Sequence, residues 1–206
     1  MKIGIIGSGH IGGTLTRRLR ELGHDVTVAN SRGPGSLAGL AAETGANPGT
    51  VAEAARGEVV VLAVPLRAVP DLPAADLAGR VVIDADNYYP ARDGAIADID
   101  GGVTSSRWTA SKLPGVQLVK VFNTIQSDHL LRFGRPTGGD GRVALPVAAD
   151  DPTAKRLVMG LIDELGFDPI DAGGLDDSWR QEPGTPVYGA DLDAAGVRAG
   201  LAAATR

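Results

Sequence analysis

A glycine-rich hexapeptide near the amino terminus has the residue types and spacing that bind a diphosphate. Its members, in the pattern G-x-G-x-x-G, are Gly7, Ser8, Gly9, His10, Ile11 and Gly12. The first glycine permits a tight turn, the second has no side chain to block a pyrophosphate, and the third lets a helix approach the sheet closely. The hexapeptide follows a β-branched run and opens an amphipathic segment, as the motif requires. The free N–H groups of that helix would face the anion.

The next predicted strand ends in Asn30, Ser31 and Arg32. An NAD-binding unit would carry an acid at about this place to bind the ribose hydroxyls, and none is present. Asn30 is neutral, Ser31 can donate a hydrogen bond, and Arg32 can form a charge-assisted bond to a phosphate. The residues therefore favour NADP(H) over NAD(H).

Three further segments follow predicted strands and are expected at the same edge of the sheet, where ligands bind in open α/β folds. Ala63, Val64 and Pro65 are predicted to form a wall beneath the nicotinamide ribose. Asn87 is predicted to bond a ribose or carboxamide, with neighbouring tyrosines either stacking on a ring or covering the core. The third segment supplies Asn123 and Thr124, which would contact the nicotinamide or a second ring system.

Machinery for acid–base or covalent catalysis is not evident in the sequence. There is no cysteine, and the three histidines lie too far apart for an H-x-x-x-H metal motif. His129 lies beside Asp128, but no G-x-S-x-G elbow accompanies the pair, and such neighbours are more often structural. We therefore predict no catalytic side chain and no metal site.

The elements that must position these residues alternate between strand and helix. Apolar runs predict strands at residues 2–6, 25–29, 58–64, 80–84, 118–121, 142–148 and 167–171. Their continuous apolar character predicts a parallel sheet covered on both faces. The expected fold is α/β, a Rossmann doubly wound parallel sheet with a small C-terminal β-α-β extension. The loop at residues 132–141 suggests a boundary between a unit at 1–135 and a smaller part at 136–206 that closes the cleft.

Composition limits the choice of partners and compartment. The chain has 206 residues and a net charge of −5, with no basic block, which argues against binding to nucleic acid or an anionic membrane. The longest apolar run is far below the ~18–20 residues that a membrane helix needs. No export signal is visible, so the cytoplasm is expected. The partners expected are small-molecule redox cofactors and a second copy in a homodimer.

With these features, the sequence resembles the family of F420-dependent NADP reductases. The similarity runs from residue 1 to about residue 177, on the glycine loop, Ser31-Arg32, residues 118–125 and the final unit through Asp171-Ala172-Gly173. The resemblance implies that the glycine loop binds the pyrophosphate and that Ser31 and Arg32 bind the 2′-phosphate. It places Val64 and Pro65 beside the nicotinamide. It also implies that the deazaflavin is approached by Thr124, Ile125, Gly173 and Leu175.

Two departures from the family pattern fall on the acceptor side of the expected cleft. Residues 182–189 are rich in glycine and proline where archaeal members have a more apolar helix, and Asn123 stands where some members have histidine. The resemblance implies hydride transfer between NADP(H) and coenzyme F420 by ring stacking alone. Two alternatives stay open, an NADPH-dependent flavin or small-molecule reductase and a non-catalytic NADP(H)-binding sensor.

Overall fold

One eight-stranded sheet forms the centre of the molecule. The computed structural model describes all 206 residues. The spatial order of the strands is β3-β2-β1-β4-β5-β6-β7-β8. In chain order the strands are β1 (Lys2–Ile6), β2 (Asp25–Ala29), β3 (Asn47–Pro48), β4 (Val59–Leu62), β5 (Val81–Asp84), β6 (Gln117–Lys120), β7 (Ala144–Ala149) and β8 (Asp168–Asp171). The seven predicted strands are all present, and the two-residue β3 is additional.

The central strands are buried on both faces, which explains their unbroken apolar sequences. All four residues of β4 are buried, with Val59 and Val61 facing one layer and Val60 and Leu62 facing the other. A larger core cluster of 27 residues and a second one of 14 residues cover the two faces. The doubly covered sheet and its Rossmann arrangement of β1 to β6 confirm the predicted fold class.

The direction of β7 differs from the all-parallel expectation. Strands β1 to β6 pair in parallel, but β7 pairs antiparallel with β6, with Val119 opposite Ala149 and Lys120 opposite Ala148. Strand β8 then pairs in parallel with β7. The carboxyl end of β8 consequently lies at the opposite edge of the sheet from the carboxyl ends of β1 to β6.

Ten α-helices and three 3₁₀ segments surround the sheet. The helices are α1 (His10–Glu21), α2 (Ala38–Thr44), α3 (Val51–Ala54), α4 (Ala74–Leu77), α5 (Pro90–Asp93), α6 (Ala97–Asp100), α7 (Ser105–Lys112), α8 (Ser127–Arg132), α9 (Pro152–Glu164) and α10 (Ala194–Ala203). The 3₁₀ segments are Pro34–Leu37, Leu66–Asp71 and Leu175–Gln181. None of these helices is long and apolar enough to be a candidate for a membrane span.

Side chains cap four of the ten α-helices, namely α3, α7, α9 and α10. Thr50 and Glu53 form a capping box at the start of α3, and the side chain of Asp151 accepts bonds from the first amides of α9. Ser36 is of a residue type that favours helix N-caps, but it lies within the first 3₁₀ segment. Its hydroxyl bonds to Asn30 and to the carbonyl of Gly33, so it is not available to the amides of α2.

The last 70 residues extend the same sheet. Helix α9 packs on β7 and β8, and α10 packs on those two strands as well. A small apolar cluster of seven buried residues, among them Ile170, Val187 and Val197, holds α10 in place. The division into parts at 1–135 and 136–206 stays a prediction.

Candidate functional site

The predicted site residues converge where the strand order reverses. Strand β1 lies between β2 and β4, so the chain leaves β1 toward one side and later returns to the other. The crevice between the carboxyl ends of β1 and β4 is the position at which open α/β sheets bind ligands. The glycine loop follows β1, and Ala63, Val64 and Pro65 follow β4. These two segments form the floor of the cleft.

Two glycines of the loop are required by close backbone packing. Gly7 has φ 111°, and a Cβ atom there would lie 2.0 Å from the carbonyl oxygen of Ala63. A Cβ atom on Gly12 would lie 1.9 Å from the carbonyl oxygen of Gly7. Both distances are far inside van der Waals contact, so a side chain at either position would displace the turn or the helix.

Gly9 differs from these two because the space beside it is open. No heavy atom lies within 4 Å of the Cβ that a side chain would place there. Gly9 is the N-cap of α1 and forms no side-chain cap. The amides of Gly9, His10 and Ile11 have no hydrogen-bond acceptor in the protein. Free amides around an open space at a helix N-terminus fit the diphosphate of a dinucleotide.

Asn30 joins the glycine loop to the loop that carries Arg32. Its Nδ2 donates to Oγ of Ser8 at 2.9 Å and to Oγ of Ser36 at 3.0 Å. Its Oδ1 accepts the backbone N–H of Arg32 at 2.9 Å. The amide thus occupies the end of β2, where an acid would otherwise bind ribose, and it fixes the backbone from which the Arg32 side chain extends.

Two adjoining cavities make up the cleft. The Arg32 cavity, of about 650 Å³, contains Gly7, Ser8, Asn30, Ser31, Arg32, Val51, Ala52, Ala68, Asp71, Leu72 and Pro73. The Asp86 cavity, of about 640 Å³, contains His10, Ile11, Asp86, Asn87, Tyr89, Arg92, Asn123, Thr124, Ile125, Gln126, Asp128, Tyr188 and Gly189. Gly9, Ala63, Val64 and Pro65 line both. Together the cavities have room for an extended dinucleotide and a second planar molecule.

The guanidinium of Arg32 makes no hydrogen bond and no ion pair within the protein, and the residue is exposed. Other arginines of the molecule are tied down, for example Arg17 to Glu43 and Arg107 to two aspartates. An unpartnered arginine in the wall of a cavity is free to bind a phosphate.

The segment after β6 turns sharply into the Asp86 cavity. Phe122 has φ 67°, a left-handed conformation that costs a non-glycine residue ~1–3 kcal/mol. The turn brings Asn123 against Asn87, whose Nδ2 donates to the carbonyl of Asn123 at 2.9 Å. Nδ2 of Asn123 in turn donates to Oδ1 of Asn87 and to the carbonyl of Gln181. The side-chain amide of Asn87 therefore keeps one N–H donor and one oxygen lone pair free for a ligand.

The far wall of the Asp86 cavity contains a tyrosine pair that the sequence does not reveal. The hydroxyl groups of Tyr89 and Tyr188 share a short hydrogen bond, and the guanidinium of Arg92 lies 4.9 Å from the ring centre of Tyr89. Burial and the bond to Tyr89 raise the pKa of Tyr188 to about 12. The two residues are 99 positions apart, and only the path of residues 182–189 across the cleft brings them together.

A group of buried charges lies beneath this cavity and also escapes the sequence patterns. Lys120 and Asp84 are fully buried, and the two side chains are 3.4 Å apart. Ser106 donates to Oδ2 of Asp84 at 2.7 Å. Asp86 is only 4% exposed, and its Oδ1 accepts the backbone N–H of Val64 at 2.8 Å. Burial and the neighbouring Asp84 raise the pKa of Asp86 well above its usual range, although Lys120 opposes the shift.

The raised pKa of Asp86 has a consequence for stability. The native state holds this proton more tightly than the unfolded chain, in which an aspartate titrates near pH ~3.9. Native stability must then fall as pH rises from about 4 through the native pKa of Asp86. We expect Asp86→Asn to gain stability relative to the wild type over that range, as measured by urea unfolding at a series of pH values. Wild-type and variant curves that stay parallel would contradict this, and Asp140→Asn in an exposed loop is the control.

Gly173 and Leu175 do not reach the cleft. The carbonyl of Gly173 accepts the amide of Ala149, which is opposite Val119 in the middle of the sheet. Leu175 is buried in the second core cluster. The reason is the reversed direction of β7, which carries the end of β8 away from the carboxyl edge of the parallel strands. The other predicted site residues line one cavity or the other, apart from Gly12, which lies in the first turn of α1.

His129 lies outside both cavities. Its ring stacks on Phe133 with centres 4.4 Å apart, and its Nδ1 is 2.6 Å from a carboxylate oxygen of Asp191. Asp128, its sequence neighbour, is farther away at 3.7 Å. The histidine thus joins α8 to the loop before α10.

The sequence and the fold of the chain are similar to those of known proteins. The family model described as NADP oxidoreductase, coenzyme F420-dependent, matches residues 2–88. The crystal structure of the hypothetical protein SMa0349 from Sinorhizobium meliloti has 32% identity and a TM-score of 0.81, over 93% of this chain and 95% of that one. A "putative f420 dependent nadp-reductase" from Arthrobacter sp. FB24 has 26% identity and a TM-score of 0.70, over 85% and 86% of the two chains.

A shorter match agrees with these. "Putative protein YjhV" of Escherichia coli K12 is 47% identical over 60 residues, which is 29% of this chain and 44% of that protein. The matched range contains the glycine loop, the Arg32 loop and the wall at Val64 and Pro65, so the residues that form the cleft floor lie within it. Over residues 2–88 the chain matches the family of coenzyme F420-dependent NADP oxidoreductases.

Proposed function

We propose that the chain binds NADP(H) across the two cavities and transfers a hydride between it and coenzyme F420. The observation that carries the proposal is the junction of the cavities at Gly9, Ala63, Val64 and Pro65. Free amides lie at that junction and a free guanidinium lies in the Arg32 cavity, and both suit phosphates. On the other side lies a second cavity of similar volume, which suits a planar acceptor.

The glycine loop and the Arg32 loop would hold the cofactor. The free amides of Gly9, His10 and Ile11 would donate to the diphosphate, and the partial positive charge of α1 adds to their attraction. Arg32 would pair with the 2′-phosphate, held in place by the bond from its backbone to Asn30. Neutral Asn30 would not repel that phosphate as an acid would.

The Asp86 cavity would position the two reacting rings. The bound cofactor supplies the hydride, so the protein has to provide orientation and exclusion of water. Val64 and Pro65 would support one ring from below. Thr124 and Ile125 would border the acceptor, and the Tyr89–Tyr188 pair would close the far side. Rings held face to face at about 3–3.5 Å gain most of the rate that orientation can give.

Arg32→Ala tests the choice of cofactor. Loss of a hydrogen bond to a charged group costs ~1.5–3 kcal/mol, so the dissociation constant for NADPH should rise by about one to two powers of ten. Binding of NADH, which lacks the phosphate, should hardly change. Titration calorimetry with both nucleotides measures the difference.

A surface arginine provides the matched control for that experiment. Arg56 is exposed and follows α3 next to Gly57, whose backbone packs against the start of β1 at the other edge of the sheet. Arg56→Ala should bind both nucleotides like the wild type. An equal loss of affinity for NADPH and NADH in Arg32→Ala would refute the phosphate role.

The acceptor is tested by visible absorbance. NADPH is added to the wild-type chain with F420 and, separately, with FMN. Bleaching of F420 alone supports the proposal, and bleaching of FMN alone supports an NADPH-dependent flavin reductase. Tight NADPH binding with no reduction of either acceptor supports a sensor without catalytic activity.

A further inference from the structure

A buried carboxyl group lies in the wall of the cleft with half of its hydrogen-bonding capacity unused. Oδ1 of Asp86 accepts the amide of Val64, but Oδ2 is buried and has no hydrogen-bond partner in the protein. A buried polar atom without a partner costs ~1–3 kcal/mol. Asp86 lines the same cavity as Val64, Pro65 and Thr124. A ligand in that cavity that contacts Oδ2 would complete its hydrogen bonds.

The surroundings of Asp86 suit a carboxylic acid that can give up a proton and regain it. Asp84, two residues earlier, accepts the backbone amide of Asp86 and repels a second negative charge. Lys120 on β6 donates to the backbone carbonyl of Asp86 and lies next to Asp84. The positive charge of Arg92, on α5, also favours the carboxylate form of Asp86. Burial and the charge of Asp84 favour the protonated form of Asp86, and the ammonium of Lys120 stabilises its carboxylate when the proton leaves.

We propose that Asp86 is the proton donor to the acceptor, so that the reaction transfers a hydride and a proton in one active site. This inference rests on the proposed function, which supplies NADPH as the reductant. In the balanced reaction the acceptor gains the hydride, with its electron pair, at carbon and a proton from Oδ2 at a ring nitrogen or a carbonyl oxygen. The O–H bonding pair stays on Asp86, whose carboxylate takes up a proton from water after the product leaves.

Other titratable groups of the cavity are less suited to the role. His10 is exposed, and Asp128 lies at the exposed start of α8. Tyr89 and Tyr188 are bonded to each other, and the pKa of Tyr188 is raised to about 12, which makes it a weak acid. Asn87 carries no proton that it could transfer. Asp86 alone combines burial, an acidic proton and an unused oxygen.

The first test compares Asp86→Asn with the wild type in a single turnover with NADPH and the acceptor that the wild type reduces. Asparagine keeps the size and the acceptor for Val64 but cannot act as an acid. The rate of acceptor reduction should fall by about 10²–10⁴-fold, the usual effect of a general acid, with little change in the dissociation constant for NADPH. The solvent deuterium isotope effect of the wild type should be lost. Asp140→Asn is the control.

The pH profile provides a second measurement that does not need a variant. The wild-type rate of acceptor reduction should be highest at low pH and should fall as Asp86 loses its proton, whereas a merely structural aspartate would leave the rate flat.

Infrared spectra of the protein without nucleotide provide a third measurement. The protonated carboxyl band of Asp86 should persist to a higher pH than that of an exposed aspartate, be absent in Asp86→Asn, and be displaced when NADP⁺ is added.

The outcomes separate this inference from the function on which it rests. A wild-type chain that reduces neither F420 nor FMN overturns the proposed function and this inference with it. A wild type that reduces an acceptor while Asp86→Asn does so equally fast overturns the role of Asp86 alone. So does a variant whose only defect is weaker NADPH binding, because Asp86 would then be a ligand to the cofactor and not a proton donor.

Discussion

Replacing Lys120 with methionine should lower the free energy of unfolding by about 3–5 kcal/mol at neutral pH, the usual cost of removing one partner from a buried ion pair. Lys120 is fully buried, and its ammonium is the cation nearest to Asp84, which is also fully buried. Methionine fills a similar volume, so the loss is electrostatic and not a cavity effect. Urea unfolding followed by circular dichroism measures the change.

Removing the charges together should restore most of the loss. In Lys120→Met combined with Asp84→Asn and Asp86→Asn, no uncompensated charge stays buried, and such replacements are often close to neutral for stability. Lys2→Met is the surface control, because Lys2 is exposed and its side chain makes no hydrogen bond. A single Lys120→Met variant that loses less than about 1 kcal/mol would show that the ammonium contributes little against these carboxyl groups.

The same substitution bears on the proposed proton donor. Without Lys120 the carboxylate of Asp86 loses its stabilising cation, so the pKa of Asp86 should rise further. The acid would then hold its proton too tightly, and the reduction rate should fall although NADPH still binds. Stability and proton transfer thus depend on one buried cation, which explains why a charge that costs desolvation is kept below the cleft.

The features that the sequence predicts well are those set by local chemistry. The apolar run of β4 must be buried on both faces, and the glycine loop needs small residues at Gly7 and Gly12 wherever the rest of the chain goes. Helix caps at Thr50 and Asp151 depend on amides two or three residues away. These interactions are complete within a few residues, so the pattern alone specifies them.

The features that escape prediction depend on contacts between distant residues. Nothing in residues 144–149 distinguishes a parallel from an antiparallel strand, because a fully buried strand of either direction has a continuous apolar sequence like this one. The pairing of Lys120 with Asp84 spans 36 residues, and that of Tyr89 with Tyr188 spans 99. An aspartate after a strand is equally compatible with a turn or a helix cap. Asp86 can therefore be recognised as a candidate site residue only when its burial is known. Gly173, which the resemblance placed beside the deazaflavin, lies away from the two cavities, and its position likewise depends on the direction of β7.

The cleft joins two kinds of binding chemistry through one hydrogen-bonded framework. At one end, Asn30 fixes the glycine loop and the Arg32 loop relative to each other. At the other end, Asp86 fixes Val64 relative to β5 through the amide of Val64. Val64 borders both cavities, so its bond to Asp86 also fixes the position of the residue that lies between them. A cofactor seated on this wall would be aligned with the buried acid by the same contact that holds the acid in place.

Gly9→Asp should abolish tight NADPH binding while the fold is retained or strengthened. Gly9 has φ −73° and ψ −159°, which any residue adopts, and nothing lies within 4 Å of the new Cβ. Aspartate is a favourable N-cap and an anion at a helix N-terminus, so α1 should not be weakened. Its carboxylate would take the free amides and repel the diphosphate. Losing two hydrogen bonds to a charged group, at ~1.5–3 kcal/mol each, raises the dissociation constant at least about 100-fold.

Substitutions of two other glycines, both in α1, distinguish a loss of diphosphate binding from a general loss of stability. Gly13→Ala would meet the flexible end of Arg17 at 3.3 Å and the carbonyl oxygen of Ser8 at an ordinary contact distance of 3.6 Å, so it should bind NADPH normally and gain up to ~1 kcal/mol of helix stability. Gly12→Ala would place a methyl group 1.9 Å from the carbonyl oxygen of Gly7, so it should lose stability and NADPH binding together. Calorimetric titration and thermal unfolding of the three variants measure both properties. Normal NADPH affinity in Gly9→Asp would mean that the diphosphate does not bind at the N-terminus of α1, and the assignment of the glycine loop to a diphosphate would fall.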